Sequence, residues 1–322
     1  MFLNLTQLLT PAYHEHFGVL SCNIRHPLIM QGVLQAAFRD RSPIILEIAE
    51  SEQAYCGWAP EQVVVDVCDY LAQLHKQYGY MIPIGLHLDH VQRDESLIVR
   101  AVEAGFRSAL LDLSKLSDTE NYQRCAAMRA YLDSVGASLE IEKGIIGFAK
   151  DLPDDVEQLY TSVEDAVAAV EVVRPHALAI AVGNGHGLYT ETPHIGFDRI
   201  ALIAQALAKY QTPLVLHGGS GLSLEAFAHA VDVGIQKVNY ATALSDVLFA
   251  HLPADLRQSM DAAASMQSAE LRKVLGQFKQ SITDLPIAIT AMITDAIAEH
   301  VHSVLREGMH STNKAELYRV QL

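Results

Sequence analysis

The chain lacks the features of a secreted, redox-active or nucleic-acid-binding protein. Its four cysteines, Cys22, Cys56, Cys68 and Cys125, are scattered with no C-x-x-C pair. Neither a thiolate zinc site nor a redox dithiol is encoded, and four reduced thiols in or near the core are expected. Basic residues are scarce: 23 Lys and Arg against 38 Asp and Glu leave a formal charge of −15. That balance argues against nucleic acid or an anionic membrane surface as partner. No apolar run reaches the roughly 18 residues of a membrane span, and the N-terminus has no basic start, apolar stretch and cleavage site of a secretory signal. A cytoplasmic location is the expectation. No G-x-G-x-x-G follows the first apolar run, so the usual support for a dinucleotide-binding sheet is missing.

What is present is a compact globular composition, 50% hydrophobic and 19% charged. Short apolar runs recur at 19–24 (VLSCNI), 43–49 (PIILEIA), 84–90 (IGLHLDH), 108–113 (SALLDL), 138–144 (SLEIEKG), 177–183 (ALAIAVG), 213–219 (PLVLHGG) and 237–242 (KVNYAT). Segments of helical periodicity such as DESLIVRAVEAG, VEDAVAAVEVV and FDRIALIAQALAKY lie between them. Ser162 followed by Asp165 marks a helix start, while Gly136 and Gly234 mark stops. Eight nearly continuous apolar strands alternating with helices predict an α/β fold with a parallel sheet covered by helices, a (β/α)8 TIM barrel. No linker interrupts the repeat, so a single domain over 1–322 is expected. Its C-terminal helical extension, about 243–322, would close the barrel and could build a subunit interface.

In such barrels the active site lies at the C-terminal strand ends. Those ends read Asn23, Glu47, Asp89 with His90, Asp112, Glu140 with Glu142, Asn184 with His186, His217 and Asn239. A single histidine near a strand end is usually an ordinary core or surface residue. Three of them, His90, His186 and His217, on three strands suit one divalent ion with a position left open for substrate. Side-chain alternation puts Gly85, His87 and Asp89 on one face and Leu86, Leu88 and His90 on the other. Asp89 therefore projects directly into the site, His90 reaches it only if the backbone turns, and His87 belongs to a structural layer below. In LHGGSGLS the N–H groups of Gly219, Ser220 and Gly221, beside a helix opened by Ser223, could form an anion-binding nest. The histidines of HEH (14–16) and HVH (300–302) are expected to be solvated.

LHLDH, LEIEKGIIG, AVGNGHGLY, LHGGSGL and KVNYAT resemble, in order and spacing, the signature segments of the class II, metal-dependent ketose-bisphosphate aldolases, over about residues 3–245. The resemblance implies a catalytic zinc (Zn2+) on His90, His186 and His217, with Glu142 the carboxylate of the metal region. It makes Asp89 the acid/base and Asn239 a donor to the developing oxyanion. It implies that Gly187, Gly218, Ser220 and the segment Asn239, Tyr240, Ala241 and Thr242 bind the ketose 1-phosphate, with Asn23 and the other glycines of the loop nearby. A monovalent cation (Na+ or K+) near the phosphate and assembly as a homodimer or homotetramer are implied as well. The activity implied is cleavage of a phosphorylated sugar, fructose or tagatose 1,6-bisphosphate by default, in carbohydrate metabolism such as glycolysis.

Several positions depart from the pattern. Lys143 and Phe148 replace an apolar residue and a glycine, and the following loop offers Asp151, Asp154, Asp155 and Glu157 as alternatives for a second acid/base. Glu47 and Glu50 stand near a mouth that should welcome phosphate. The alternatives are a non-standard ketose-phosphate substrate, a non-catalytic binding or assembly subunit, and a Schiff-base aldolase using Lys143 or Lys237.

Overall fold

Each apolar run becomes one strand of a closed parallel barrel in the computed structural model, which describes residues 2–153, 155–187, 189 and 192–318. The strands are β1 (Val19–Asn23), β2 (Ile44–Ala49), β3 (Ile84–Val91), β4 (Ser108–Leu111), β5 (Ser138–Lys143), β6 (Ala177–Ile180), β7 (Leu214–Leu216) and β8 (Ile235–Tyr240). They pair in chain order, and β1 closes on β8. β6 and β7 end earlier than their apolar runs, so Asn184, His186 and His217 stand on the loops beyond.

Outward residues such as Leu20, Leu46, Leu88, Leu139, Leu178 and Val238 are buried under the helices in the main core. A second, smaller core fills the barrel's N-terminal end. There the helix Leu5–Glu15, capped reciprocally by Asn4 and Gln7, presses Leu5, Leu8, Leu9 and Ala12 against Val19, Ile45, Ala177, Ala179 and Val215. Full burial of each such leucine stabilises the fold by about 1.5–3 kcal/mol. With one end sealed by aliphatic side chains, the polar residues are left to the other.

Beyond β8 come the helices Thr242–Ala250, Ala254–Met266, Leu275–Thr283 and Ile287–Ser303. The last packs on the helix Pro27–Arg39 so closely that a Cβ at Gly32 would lie 2.6 Å from Ile297 Cβ. This docking overturns one expectation. His300 Nε2 lies 2.6 Å from the Tyr240 hydroxyl and its ring stacks on the tyrosine, and His302 lies 2.7 Å from the Asp40 carboxylate. Neither is simply solvated, because the extension covers the face that carries them; His14 and His16 are exposed. Cys22, Cys56 and Cys125 are buried and Cys68 is exposed. Among the described residues no helix is long and apolar enough to cross a membrane.

Candidate metal centre and active site

His90 turns inward through a local irregularity. The β3–β4 ladder slips between Leu88 and Val91, and His90 itself adopts a left-handed φ of 42°. That conformation is rare for a residue with a Cβ and is kept where surrounding contacts over-determine it. One such contact is His90 Nδ1 to Asp112 Oδ2 at 3.1 Å; the other Asp112 oxygen accepts from Ser114. His90 Nε2 is left buried with no partner.

His217 is fully buried just past β7, its Nε2 3.0 Å from Glu140 Oε1. Its Nδ1 stands 3.1 Å from Glu142 Oε2, but out of line for a hydrogen bond, so both atoms remain unsatisfied. His186 is held by the backbone: its N–H donates to the Gly147 carbonyl and its own carbonyl accepts from Ala149 N–H, both at 2.9 Å. Tyr189 ties the neighbouring loops together, accepting from Gly185 N–H and donating to the Gly218 carbonyl.

The three imidazole rings converge, with centroids 4.8, 4.7 and 6.0 Å apart, and one ligand nitrogen from each lies within 4.8 Å of the others. Burial by itself would lower the His90 pKa, but Asp89 and Asp112 raise it to about 10. Burial likewise opposes protonation of His217, yet Glu140 and Glu142 bring it to about 9. His186, without a close carboxylate partner, is pushed down by burial and by the other two rings. Buried carboxylates around imidazoles favour positive charge at this point, and the unsatisfied Nε2, Nδ1 and Oε2 atoms offer it ligands. This donor set fits a divalent metal that accepts nitrogen and oxygen.

Asp112 and Glu140 act as the orienting carboxylates behind His90 and His217. Losing such a partner typically costs 10- to 100-fold in metal affinity. Asp112→Asn and Glu140→Gln should each weaken the metal by about that factor, read by competition with a fluorescent chelator, with the fold retained by circular dichroism.

Glu47, His87 and Asp89 form another close group of possible ligands, but there the cation is already supplied. Lys237 Nζ lies 3.5 Å from Glu47 Oε2 and 2.9 Å from Glu140 Oε2. Burial and the nearby Asp89 raise Glu47 to about 8. His87 Nδ1 meets Ser108 Oγ at 2.9 Å, in the layer beneath the site. The Schiff-base alternative loses its candidates: Lys237 is sealed in this layer, and Lys143 Nζ is paired with Asp118 at 2.7 Å.

Asp89 is held by two amides, Asn239 Nδ2 to Oδ1 at 3.2 Å and Asn23 Nδ2 to Oδ2 at 3.4 Å. Burial would raise its pKa, but His90, His217 and Lys237 keep it below the ordinary carboxylate range. Asp89, His90, His186 and Glu142 face a cavity of about 570 Å³, also lined by Asn23, Gly187, Gly218, Ser220, Asn239, Ala241 and Thr242. Gly218 has φ 70°, and a side chain there would collide with the Gly185 carbonyl.

The loop after β7 departs from the expected nest. Gly219 N–H donates to the Asn239 carbonyl at 3.0 Å, so it is unavailable to an anion. Ser220 Oγ instead accepts from Ala241 and Ala243 N–H at the start of the helix Thr242–Ala250. Neither Gly219 nor Gly221 lines the cavity, and the Tyr240 side chain points outward to His300 because it alternates with Asn239. Among the loop acids, Asp151, Asp155 and Glu157 do not line the cavity, and Asp154 lies outside the described residues. Glu50 is spent on the backbone N–H groups of Gln92, Arg93 and Asp94, and Glu52, unremarked in the sequence, pairs with Arg25 at 2.5 Å.

Comparison with known proteins agrees with this geometry. Residues 3–310 match the family described as fructose-bisphosphate aldolase class-II. A sulfofructosephosphate aldolase of Alkalicoccus urumqiensis is 32% identical over 239 residues, 74% of this chain and 79% of that protein. The crystal structure of a putative fructose-1,6-bisphosphate aldolase from Coccidioides immitis superposes with a TM-score of 0.74 at 25% identity, covering 96% of this chain and 97% of the other. The YdjI aldolase of Escherichia coli K12 shares the fold, with a TM-score of 0.74 at 22% identity over 98% of this chain and all of that one. The chain belongs to the class II fructose-bisphosphate aldolase family of metal-dependent carbon–carbon lyases.

Proposed function

We propose that the protein cleaves a ketose 1-phosphate bearing a second acidic group at its far end, releasing dihydroxyacetone phosphate and an acidic aldehyde. The observation that carries this reading is the convergence of His90, His186 and the buried His217 beside an Asp89 clamped by Asn23 and Asn239, at the floor of one cavity that His90, His186 and Asp89 line. A divalent metal, zinc first, on His90, His186 and His217 would supply Lewis-acid polarisation of the ketose carbonyl. Asp89, ionised at neutral pH, is placed to take the C4 hydroxyl proton as the C3–C4 bond breaks and to return one in condensation. Asn239 donates from its amide without adding charge. Ser220, Ala241, Thr242 and the backbone at Gly187 and Gly218 form the phosphate end.

Support for a second anionic group comes from the cavity's mouth. Arg93, Lys115 and Lys273 line it together with Arg25 and Arg272, which are ion-paired to Glu52 and Glu270, while Glu50 is engaged by backbone N–H groups. Arg272 reaches Thr242 Oγ1 at 3.4 Å and keeps a buried Nε without a partner. The relative's sulfofructose phosphate is therefore the first substrate to test, ahead of fructose and tagatose 1,6-bisphosphate. The reading carries with it a sodium or potassium ion beside the phosphate, a cytoplasmic homodimer or homotetramer, and a place in carbohydrate metabolism.

A panel of ketose 1-phosphates ending in sulfonate, carboxylate, phosphate or hydroxyl decides the point, with dihydroxyacetone phosphate as the readout. A charge-assisted contact is worth about 1.5–3 kcal/mol, so the hydroxyl-ended substrate should show roughly 10- to 100-fold lower kcat/KM. Chelator should abolish every activity. No release from any member would turn the reading toward a non-catalytic role.

A further inference from the structure

We propose that Lys237 is a positioning residue for the cleavage step: it fixes the Asn239 amide, and through it Asp89, while anchoring the carboxylate that orients His217. The inference rests on the aldolase reading above. Lys237 points into the barrel two residues before Asn239 and is fully buried. Its Nζ donates to Asn239 Oδ1 at 2.7 Å. An asparagine amide has one accepting end and one donating end. With the oxygen taken by the ammonium, only the NH2 can face the cavity, and it donates to Asp89 Oδ1 at 3.2 Å. A flipped amide would set its carbonyl against the Asp89 carboxylate, two acceptors with no proton between them.

The same ammonium lies 2.9 Å from Glu140 Oε2, and the other oxygen of Glu140 holds His217 Nε2. Lys237 thus stands where the Asp89–Asn239 pair meets the metal ligands. Filling space in a barrel interior needs only an aliphatic residue, and a buried ammonium carries a desolvation penalty that partners must offset. Lys237 has such partners: Asn239 leads to Asp89 at the substrate cavity, and Glu140 leads to the buried His217 of the metal cluster.

A purely structural role predicts something different, and a double-mutant cycle separates the two. Misplacing a catalytic group by an ångström can cost about 10²-fold, so Lys237→Met should lower kcat by about that factor. KM should stay within roughly threefold and the metal should remain stoichiometric. Asn239→Ala should lose a similar amount, and the double variant should fall well short of the product of the two losses, because both remove the Asn239–Asp89 arrangement and only the lysine also touches Glu140. Multiplying losses, or wild-type kcat in Lys237→Met, would overturn the proposal. If the methionine variant does not fold, Lys237→Gln, which keeps a donor one atom shorter, enters the same cycle with the same criterion. A crystal structure of the variant gives a readout independent of turnover. The proposal expects the Asn239 amide to leave Asp89, and an amide still donating to Asp89 would overturn it. Should the wild-type protein cleave no ketose phosphate, the aldolase reading fails separately, and this structural readout still decides the role of Lys237.

Discussion

Asp89→Asn is expected to lower kcat for ketose-phosphate cleavage by about 10²- to 10⁴-fold, the range contributed by a positioned general acid/base. The substitution nearly preserves shape, and Asn23 and Asn239 would still surround the position. What disappears is the ability to accept a proton. KM should change little and the metal should remain bound, because the hydrogen bonds that orient the His90 and His217 rings go to Asp112 and Glu140, not to Asp89. Steady-state kinetics with metal analysis on the same sample checks this. Retention of more than a tenth of wild-type kcat would remove Asp89 from the role. Because neighbouring histidines and Lys237 hold its carboxyl below the ordinary range, Asp89 is already ionised at neutral pH. Raising the pH above neutrality therefore should not restore the variant or speed the wild type through this group.

His217→Ala is the second large effect. It removes one of three converging nitrogens and leaves Glu140 and Glu142 facing a void, so metal affinity should fall by more than the 10- to 100-fold typical of losing only an orienting partner. Activity at micromolar metal should be lost and partly recovered by excess metal. The pH dependence gives a second check. In the metal-free chain His90 titrates at about 10 and His217 at about 9, so both carry protons at neutral pH. Metal binding must displace those protons, and apparent affinity should rise with pH across the neutral and mildly alkaline range. His217→Ala should release about one proton fewer on binding, measured by calorimetry in buffers of different ionisation enthalpy. Unchanged metal affinity together with unchanged proton release would mean that His217 is not a ligand.

How far these residues could be read in advance depends on whether their placement is a local matter. Strand alternation is local, and the pairs His87 and Asp89, Glu140 and Glu142, and Lys237 and Asn239, together with Glu47, all fall inward. Helix stops at Gly136 and Gly234 are local too, since each needs a backbone conformation that glycine adopts freely. Eight repeats of strand and helix then leave few topologies, and the barrel follows.

The sequence by itself determined the barrel, the end at which the site lies and the short set of residues able to hold a metal, because periodicity and alternation are written along the chain. Tertiary structure alone decided the rest. Only the slip of β3 against β4 aims His90 inward, and only the docked C-terminal helix turns His300 and His302 from solvent toward Tyr240 and Asp40. Gly219 is lost to an anion because β8 lies beside it, and Lys237 meets Glu140 across the barrel from a strand far away in sequence. The reason is the same in each case: a hydrogen bond or ion pair is set by which strands and helices become neighbours, and closure of the barrel settles that.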